Sequence, residues 1–110
     1  MNKFNADNSS GFASKLEASV YQILKFKQKA GLISDLRCQA PVSLTRASIG
    51  CKVDFSFTEK GKLCFAEAKG IATDRWQIIK KLWPFYAPGK LFIYTGHYRD
   101  PRLTEIVEVK

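Results

Sequence analysis

The chain has 110 residues, 45% of them hydrophobic, which suits one domain with its own hydrophobic core. Eighteen Lys and Arg residues against ten Asp and Glu residues give a formal net charge of +8. That excess favours a polyanionic partner, either nucleic acid or an anionic membrane surface. No apolar run is long enough to span a bilayer. We expect residues 1–13 to be a flexible polar tail without a signal-peptide core, and residues 14–110 to be a single domain.

The three cysteines give no sign of a metal site or a disulfide framework. Cys38, Cys51 and Cys64 form no CxxC pair, and His97 is the only histidine, so a structural zinc site is not expected. Their odd number also argues against paired disulfides. We interpret them as small buried hydrophobic residues of a protein that works in a reducing cytoplasm.

The first two predicted elements are a helix and an extended strand. Apolar residues recur at helical spacing over residues 14–31, with Ser14 suited to the N-cap and Gly31 to the C-cap. Residues 36–45 are predicted to be a strand, interrupted by Pro41. Because proline cannot donate to a strand ladder, this strand is expected at an edge or a bulge.

Two strands come next, at residues 51–57, where apolar and polar residues alternate, and at residues 62–69. The turn around Gly61 between them predicts a β-hairpin. A loop of the two residues Lys60 and Gly61 suits the glycine. The pair of strands is therefore expected to be antiparallel.

The remaining elements complete a mixed sheet. Residues 74–83 predict a second helix that Pro84 ends, and residues 90–96, with an apolar run at 91–94, predict a central strand. Residues 104–109 are expected to add an edge strand. The order α-β-β-β-α-β predicts an α/β fold, with a mixed β-sheet flanked by helices.

The predicted hairpin brings acidic and basic side chains to one face. With a two-residue loop, Asp54 lies opposite Glu67, and side chains alternate between the faces of the sheet. One face is then entirely apolar and forms the core side, whereas the other carries the charges. The first face holds Val53, Phe55, Phe57, Cys64, Ala66 and Ala68, and the second holds Lys52, Asp54, Ser56, Glu67 and Lys69, with Leu63 and Phe65 beyond.

Two opposed carboxylates need a cation or a proton between them. Directly opposed residues have Cβ atoms about 4.5–5.5 Å apart, so Asp54 and Glu67 would repel each other. Lys69 could supply part of the compensating charge. A divalent metal would do so better, since Mg²⁺ is held by one or two carboxylates together with phosphate oxygens and water. A basic protein that holds Mg²⁺ is suited to cutting a phosphodiester.

Glu17 has two possible roles. On the first helix it could point across the sheet and become a third carboxylate of the same cluster. Alternatively, Ser14-x-x-Glu17 is a capping box, in which the glutamate side chain bonds back to the Ser14 amide. Spacing alone slightly favours the cap, and both roles stay open at this point.

These motifs resemble a known superfamily. Asp54, twelve further residues and then Glu67-Ala68-Lys69 have the form D-x(n)-E-x-K, which is similar to the motif of the PD-(D/E)XK nucleases. The αβββαβ order resembles their restriction-endonuclease-like core. FAEAKG followed by a basic helix is most similar to small phage nucleases, including Holliday-junction resolvases of the endonuclease I type. The resemblance covers about residues 14–95.

The resemblance implies a role for each matching residue. Asp54 and Glu67 would bind Mg²⁺ or Mn²⁺ with help from the Ala68 carbonyl. Lys69 would orient or activate the attacking water and stabilise charge on the phosphate. Glu17 matches the helix-borne acid that many members use for a second metal or a water, and this implies a site role for it beside the cap.

The basic residues near the motif are candidate DNA contacts. Arg75, Gln77, Lys80 and Lys81 on the second helix, together with Lys52, could bind phosphates. A solvated helix face would also account for them.

We therefore expect a Mg²⁺-dependent DNA endonuclease in the cytoplasm of a bacterial or phage-infected cell. Branched DNA would be its substrate, a homodimer its working form, and neither a membrane nor a small-molecule cofactor would be involved. The alternatives are a non-catalytic nucleic-acid-binding module, a nuclease-like protein that inhibits a host protein, or an α/β domain that carries the motif by accident.

Overall fold

The computed structural model describes residues 12, 14–47, 49–69 and 73–110. Their fold is α/β, with the predicted αβββαβ order followed by the expected edge strand. The elements are α1 (Lys15–Lys29), β1 (Ser34–Ser43), β2 (Gly50–Glu59), β3 (Lys62–Ala68), α2 (Asp74–Tyr86), β4 (Leu91–Thr95) and β5 (Arg102–Val107).

The strands form one mixed sheet in the order β1-β2-β3-β4-β5. β3 and β4 pair in parallel, and all the other neighbours are antiparallel. Since parallel strands cannot be joined by a tight turn, α2 provides the crossover between them. β4 has a neighbour on each side and is buried from Leu91 to Tyr94, as the apolar run at 91–94 predicted.

Two hydrophobic clusters hold the helices to the sheet. Val20 and Leu24 of α1 pack with Phe55 and Phe57 in one of them. The other lies with α2, whose buried side chains belong to Trp76, Ile79 and Trp83. Their partners there include Ala40, Val42, Val53, Phe65, Leu91 and Ile93.

This arrangement corrects the predicted faces of the hairpin. Phe55, Phe57, Cys64 and Ala66 do share a cluster, but Val53 belongs to the one with α2. The face expected to be charged also carries core residues, because Phe65 is buried against Trp83. Strict alternation fails where β1 takes a left-handed conformation at Gln39 (φ 56°), opposite the stretch of β2 between Val53 and Phe55.

Both helix ends differ slightly from the prediction. α1 is capped at Ala30, and Gly31 (φ 81°) follows the cap rather than forming it. Pro84 lies inside α2 instead of ending it, and the helix continues to Tyr86. In the last turn a proline removes only one backbone donor, and the Ala87 N–H closes the helix on the Trp83 carbonyl.

The cysteines and the N-terminal segment complete the comparison. All three cysteines are free, and Cys64 is buried, but Cys38 is exposed, so the interpretation of all three as buried was wrong. Most of the expected tail (residues 1–13) lies outside the described residues, although Phe12 packs against Tyr21 and Phe55. Within the described part of the chain, neither helix is long and apolar enough to cross a membrane.

Candidate active site

The β2–β3 hairpin has the predicted turn and register. Lys60 and Gly61 both have left-handed φ values, 52° and 78°, as the two central residues of a type I′ turn require. Phe55 pairs with Ala66, which is the partner that a two-residue loop dictates. The next pair beyond the ladder in that register is Asp54 with Glu67.

At this pair the backbone ladder gives way to side-chain bonds. The regular β2–β3 pairing ends at Phe55 and Ala66. Beyond it, the Asp54 N–H donates to Glu67 Oε1 at 2.8 Å, and the Ala68 N–H donates to Asp54 Oδ2 at 2.9 Å. Each carboxylate thus bonds the backbone of the opposite strand. We call residues 50–54 and 67–69 the open end of the hairpin.

Lys69 supplies positive charge to the open end. Its Nζ lies 3.5 Å from Glu67 Oε2 and 4.7 Å from the centre of the Trp76 ring. Its backbone N–H donates to the Tyr94 carbonyl at 2.9 Å, so β4 anchors the residue. The ammonium is therefore held between a carboxylate and an aromatic face, where cation–π attraction is favourable.

The electrostatics of the pair leave negative charge uncompensated. Burial, followed by the nearby Asp54 carboxylate, raises the pKa of Glu67 to about 7. Burial also raises the pKa of Asp54, although the Ala68 N–H and Lys69 oppose the shift. One lysine does not compensate the charges of a half-buried and a buried carboxylate, so the pair favours a proton or a further cation.

Glu17 lies near the pair and is buried. Its backbone N–H donates to Ser14 Oγ at 3.0 Å, which is one half of a capping box. Its carboxylate accepts a hydrogen bond from Gln39 Nε2 at 3.4 Å. Burial, followed by the charge of Asp54, raises the pKa of Glu17 to about 7. The amide of Glu17 thus belongs to the cap. Its carboxylate bonds to Gln39 of β1, and the nearby charge of Asp54 helps to raise its pKa.

The described residues contain no group of three or more His, Cys, Asp or Glu side chains placed to hold one metal ion. Hydrogen bonds to backbone N–H groups join Asp54 and Glu67 across the hairpin, whereas the Glu17 carboxylate is bonded to Gln39. Two carboxylates are enough for Mg²⁺ when phosphate oxygens and water complete the coordination.

A cleft with a volume of about 220 Å³ opens beside the pair. Glu67 and Lys69 line it together with Lys52 and Arg75, two of the predicted DNA contacts. Arg75 donates from Nη2 to the Gly50 carbonyl at 2.9 Å, which fixes its guanidinium at the start of β2. Cations therefore predominate around this cleft.

The other predicted DNA contacts lie farther along α2. Gln77 and Lys80 line a second cleft, of about 230 Å³, which also contains Lys69. The Lys80 ammonium is paired with Glu105 Oε1 at 2.8 Å, so part of its charge is already neutralised. Lys81 is exposed and lines neither cleft. The predicted set is thus split between two sites and an outer helix surface.

Sequence reasoning missed Gln39. A glutamine inside a predicted strand gives no sign that the backbone will turn left-handed there, or that the side chain will bond to Glu17. The proline two residues later indicated only an irregular edge strand.

Comparison with protein-family models, with curated proteins and with solved structures found no match for this chain. The resemblance to the PD-(D/E)XK nucleases stays a prediction from the sequence. The functional assignment therefore depends on the geometry of the site.

Proposed function

We propose that the protein is a metal-dependent endonuclease of the PD-(D/E)XK type that hydrolyses phosphodiester bonds in DNA, with branched DNA as its favoured substrate. One observation carries the proposal. The half-buried Asp54 and the buried Glu67 carboxylates lie with Lys69 where the regular β2–β3 ladder ends, beside a cleft lined by Lys52 and Arg75. A restriction-endonuclease-like core would present its acids in the same way.

The donor set fits Mg²⁺ or Mn²⁺. Carboxylate oxygens are the hard ligands that these cations prefer, and thiols and imidazoles are absent from the pair. Burial raises the pKa values of both carboxyl groups, and the charge of Asp54 raises that of Glu67 further. A divalent cation would relieve both effects, with the Ala68 carbonyl as a further oxygen ligand.

With the metal bound, Lys69 and Glu17 would have separate roles in hydrolysis. The bound metal would polarise the phosphoryl oxygen and lower the pKa of a coordinated water. Lys69, held by Glu67 and the Trp76 ring, would orient the attacking water and stabilise the charge that develops on the phosphate. Glu17, with a pKa of about 7, could hold or release a proton at the edge of the site.

The surface around the site suits a nucleic acid. Lys52 and Arg75 line the cleft that contains Glu67, and the whole chain has a formal net charge of +8. Phosphate contacts of this kind give affinity that falls with salt concentration. Cutting both strands of a branched substrate needs two sites, for which a symmetric homodimer is the simplest arrangement.

A non-catalytic nucleic-acid-binding protein is the second candidate. Backbone N–H groups and Lys69 already bond the two carboxylates, so the pair has partners without a metal. Calorimetry with Mn²⁺ separates the candidates, since the endonuclease must bind the ion whereas the binding protein need not.

The decisive experiment is cleavage of a four-way DNA junction in Mg²⁺. We expect nicking by the wild-type protein that stops with a chelator and in Asp54→Asn and Lys69→Ala variants. Lys29→Ala serves as a control, because this exposed lysine lies in the last turn of α1 and lines neither cleft. Nicking that persists at the wild-type rate in both site variants would contradict the proposal.

A further inference from the structure

A second concave site lies against β1. It has a volume of about 480 Å³, and we call it the β1 pocket. Residues 37–41 of β1 form one wall, the buried Ser56 and Phe65 form its floor, and the exposed Leu63 and Pro88 complete it. Its position coincides with the left-handed turn of the backbone at Gln39, an irregularity of the kind that β-strands often show beside functional sites.

Ser56 distinguishes this pocket from an ordinary surface groove. The residue is only 7% exposed. Nevertheless, no group among the described residues makes a hydrogen bond with its side-chain hydroxyl. Buried hydroxyls in native proteins are almost always paired, so an unpaired one that lines a pocket indicates a missing partner.

The lining indicates the chemistry of that partner. Phe65, Leu63, Pro88 and Ala40 supply apolar surface, and the Ser56 hydroxyl supplies one polar group. Binding sites for small molecules typically have this composition, with volumes of about 300–1,000 Å³. Arg37 also lines the pocket, and its only ion-pair partner among the described residues is the exposed Asp35 beside it. Its guanidinium therefore remains accessible to a phosphate.

The distance to the candidate active site decides between ligand classes. Ser56 follows Asp54 by two residues in β2, which corresponds to about 7 Å along a strand. A phosphodiester at the acidic pair would therefore have a neighbouring base within reach of the pocket. A base in a regular duplex is stacked and paired and could not enter it. A base at a bulge is unpaired, and a base at a branch point lacks a stacking neighbour on one side, so either can leave the helix at a lower cost. Once out of the stack, it offers apolar faces and polar edges.

We propose that the β1 pocket binds one unstacked nucleobase of the DNA substrate. Ser56 Oγ bonds to an edge of the base, Leu63 and Pro88 contact its faces, and Arg37 contacts an adjacent phosphate. This inference rests on the proposed function, and it supplies the reason why a branched substrate would be preferred to plain duplex.

The test uses DNA with a single unpaired 2-aminopurine. The protein carries Glu67→Gln and is kept in chelator, so binding is measured without cleavage. The comparison probes are the same duplex with an abasic site at the unpaired position and the fully paired duplex. We expect the unpaired base to bind about tenfold more tightly than either comparison probe, the gain that one well-packed base typically provides. Its fluorescence should change on binding.

Two variants of the same background locate the base. Ser56→Ala removes the hydroxyl, and Leu63→Trp fills the pocket; each should bring the preference to within about twofold, as the loss of one buried contact implies. Leu103→Trp is the matched control, since Leu103 is 43% exposed on β5 and Leu63 is 44% exposed on β3. This control should keep the full preference.

The outcomes separate this inference from the proposed function. Equal affinity of the unpaired-base and abasic probes would overturn the β1 pocket, as would an unchanged preference in Leu63→Trp. If the wild-type protein cleaves DNA in Mg²⁺ but shows no preference for an unpaired base, the endonuclease proposal stands and the β1 pocket proposal is wrong. If the protein prefers an unpaired base but cleaves no DNA, the β1 pocket proposal stands and the endonuclease proposal is wrong.

Discussion

The two ends of the β2–β3 hairpin use their backbone differently. From Phe55 to Glu59, β2 pairs regularly with β3. In this half of the hairpin, Phe55 and Phe57 belong to the hydrophobic cluster that packs with α1. At the open end, the Asp54 and Ala68 N–H groups bond instead to the carboxylates of Glu67 and Asp54. Ending the regular ladder therefore gives these acids fixed positions without removing their hydrogen bonds.

The difference in bonding has an energetic counterpart. Buried aromatic rings in the regular half stabilise the fold through the hydrophobic effect. The open end buries carboxyl groups whose raised pKa values show that their charged forms are unfavourable there. Stability is thus given up where the chemistry is proposed, a common feature of functional sites. Substitutions at the open end should therefore mainly lower activity, whereas substitutions in the regular half should mainly lower stability.

The largest effect is expected on activity at the open end. Glu67→Gln keeps an oxygen that can accept from the Asp54 N–H but removes a proposed metal ligand. We expect nicking of branched DNA to fall by about 1,000-fold, since the metal supplies several kcal/mol of charge stabilisation. Glu108→Gln removes an exposed carboxylate that lines neither cleft, and it should retain wild-type activity. Equal cleavage rates for the two variants in Mg²⁺ would contradict the assignment of Glu67 as a ligand of a catalytic metal.

The next effect is on stability at the regular end. Phe55 is fully buried and lies next to Asp54 in the chain. We expect Phe55→Ala to lower the free energy of unfolding by about 3–5 kcal/mol through lost burial and a cavity. Asp54→Asn should change it far less, although it removes metal binding. Urea unfolding of both variants checks this contrast, which fails if the two variants are equally destabilised.

The regular end was predictable because its signals are local. Alternating residues and the glycine at position 61 determine the strands and the turn, and a two-residue loop then pairs Phe55 with Ala66. The approach of Asp54 to Glu67 followed from that register. Ser14 was likewise identifiable as an N-cap, because its hydroxyl precedes a helical pattern.

The irregular features were not predictable in this way. The left-handed conformation of Gln39 and the switch of Val53 to the other cluster depend on how β1 and β2 bend together. No residue type in that stretch requires such a bend. The hydrogen bond between the Glu17 carboxylate and Gln39 was equally unpredictable. Its donor lies in β1, a different element, at the residue with the left-handed conformation. Long-range packing, rather than local preference, decides such positions.

The pH dependence of stability should identify the buried acid. The pKa of Glu67 is raised from 4.5 to about 7, so its contribution to stability is fully present below pH 4.5 and is lost as the pH rises through 7. Without metal, Glu67→Gln should therefore become more stable relative to wild type between pH 5 and pH 8, on the order of 2 kcal/mol. Urea unfolding at both pH values measures this. Glu105→Gln should follow the wild-type curve, and a constant difference for Glu67→Gln would show that Glu67 is not the titrating group.

The smallest effect concerns the turn that sets the register of both ends. Gly61 has φ 78°, and an added Cβ would meet no atom within 4 Å, so only the backbone conformation opposes a side chain there. We expect Gly61→Ala to cost about 1 kcal/mol of unfolding free energy, measured by urea unfolding. Lys60→Asn is the matched change in the other direction, because asparagine accepts the left-handed φ of 52° more readily.

Metal binding decides what the turn variants mean for the site. Both should leave Mn²⁺ affinity unchanged, since the pairs between the turn and Asp54 maintain the register once the hairpin has formed. If Gly61→Ala weakened Mn²⁺ binding as well as the fold, the open end would depend on the turn directly. The two ends of the hairpin would then not be separable.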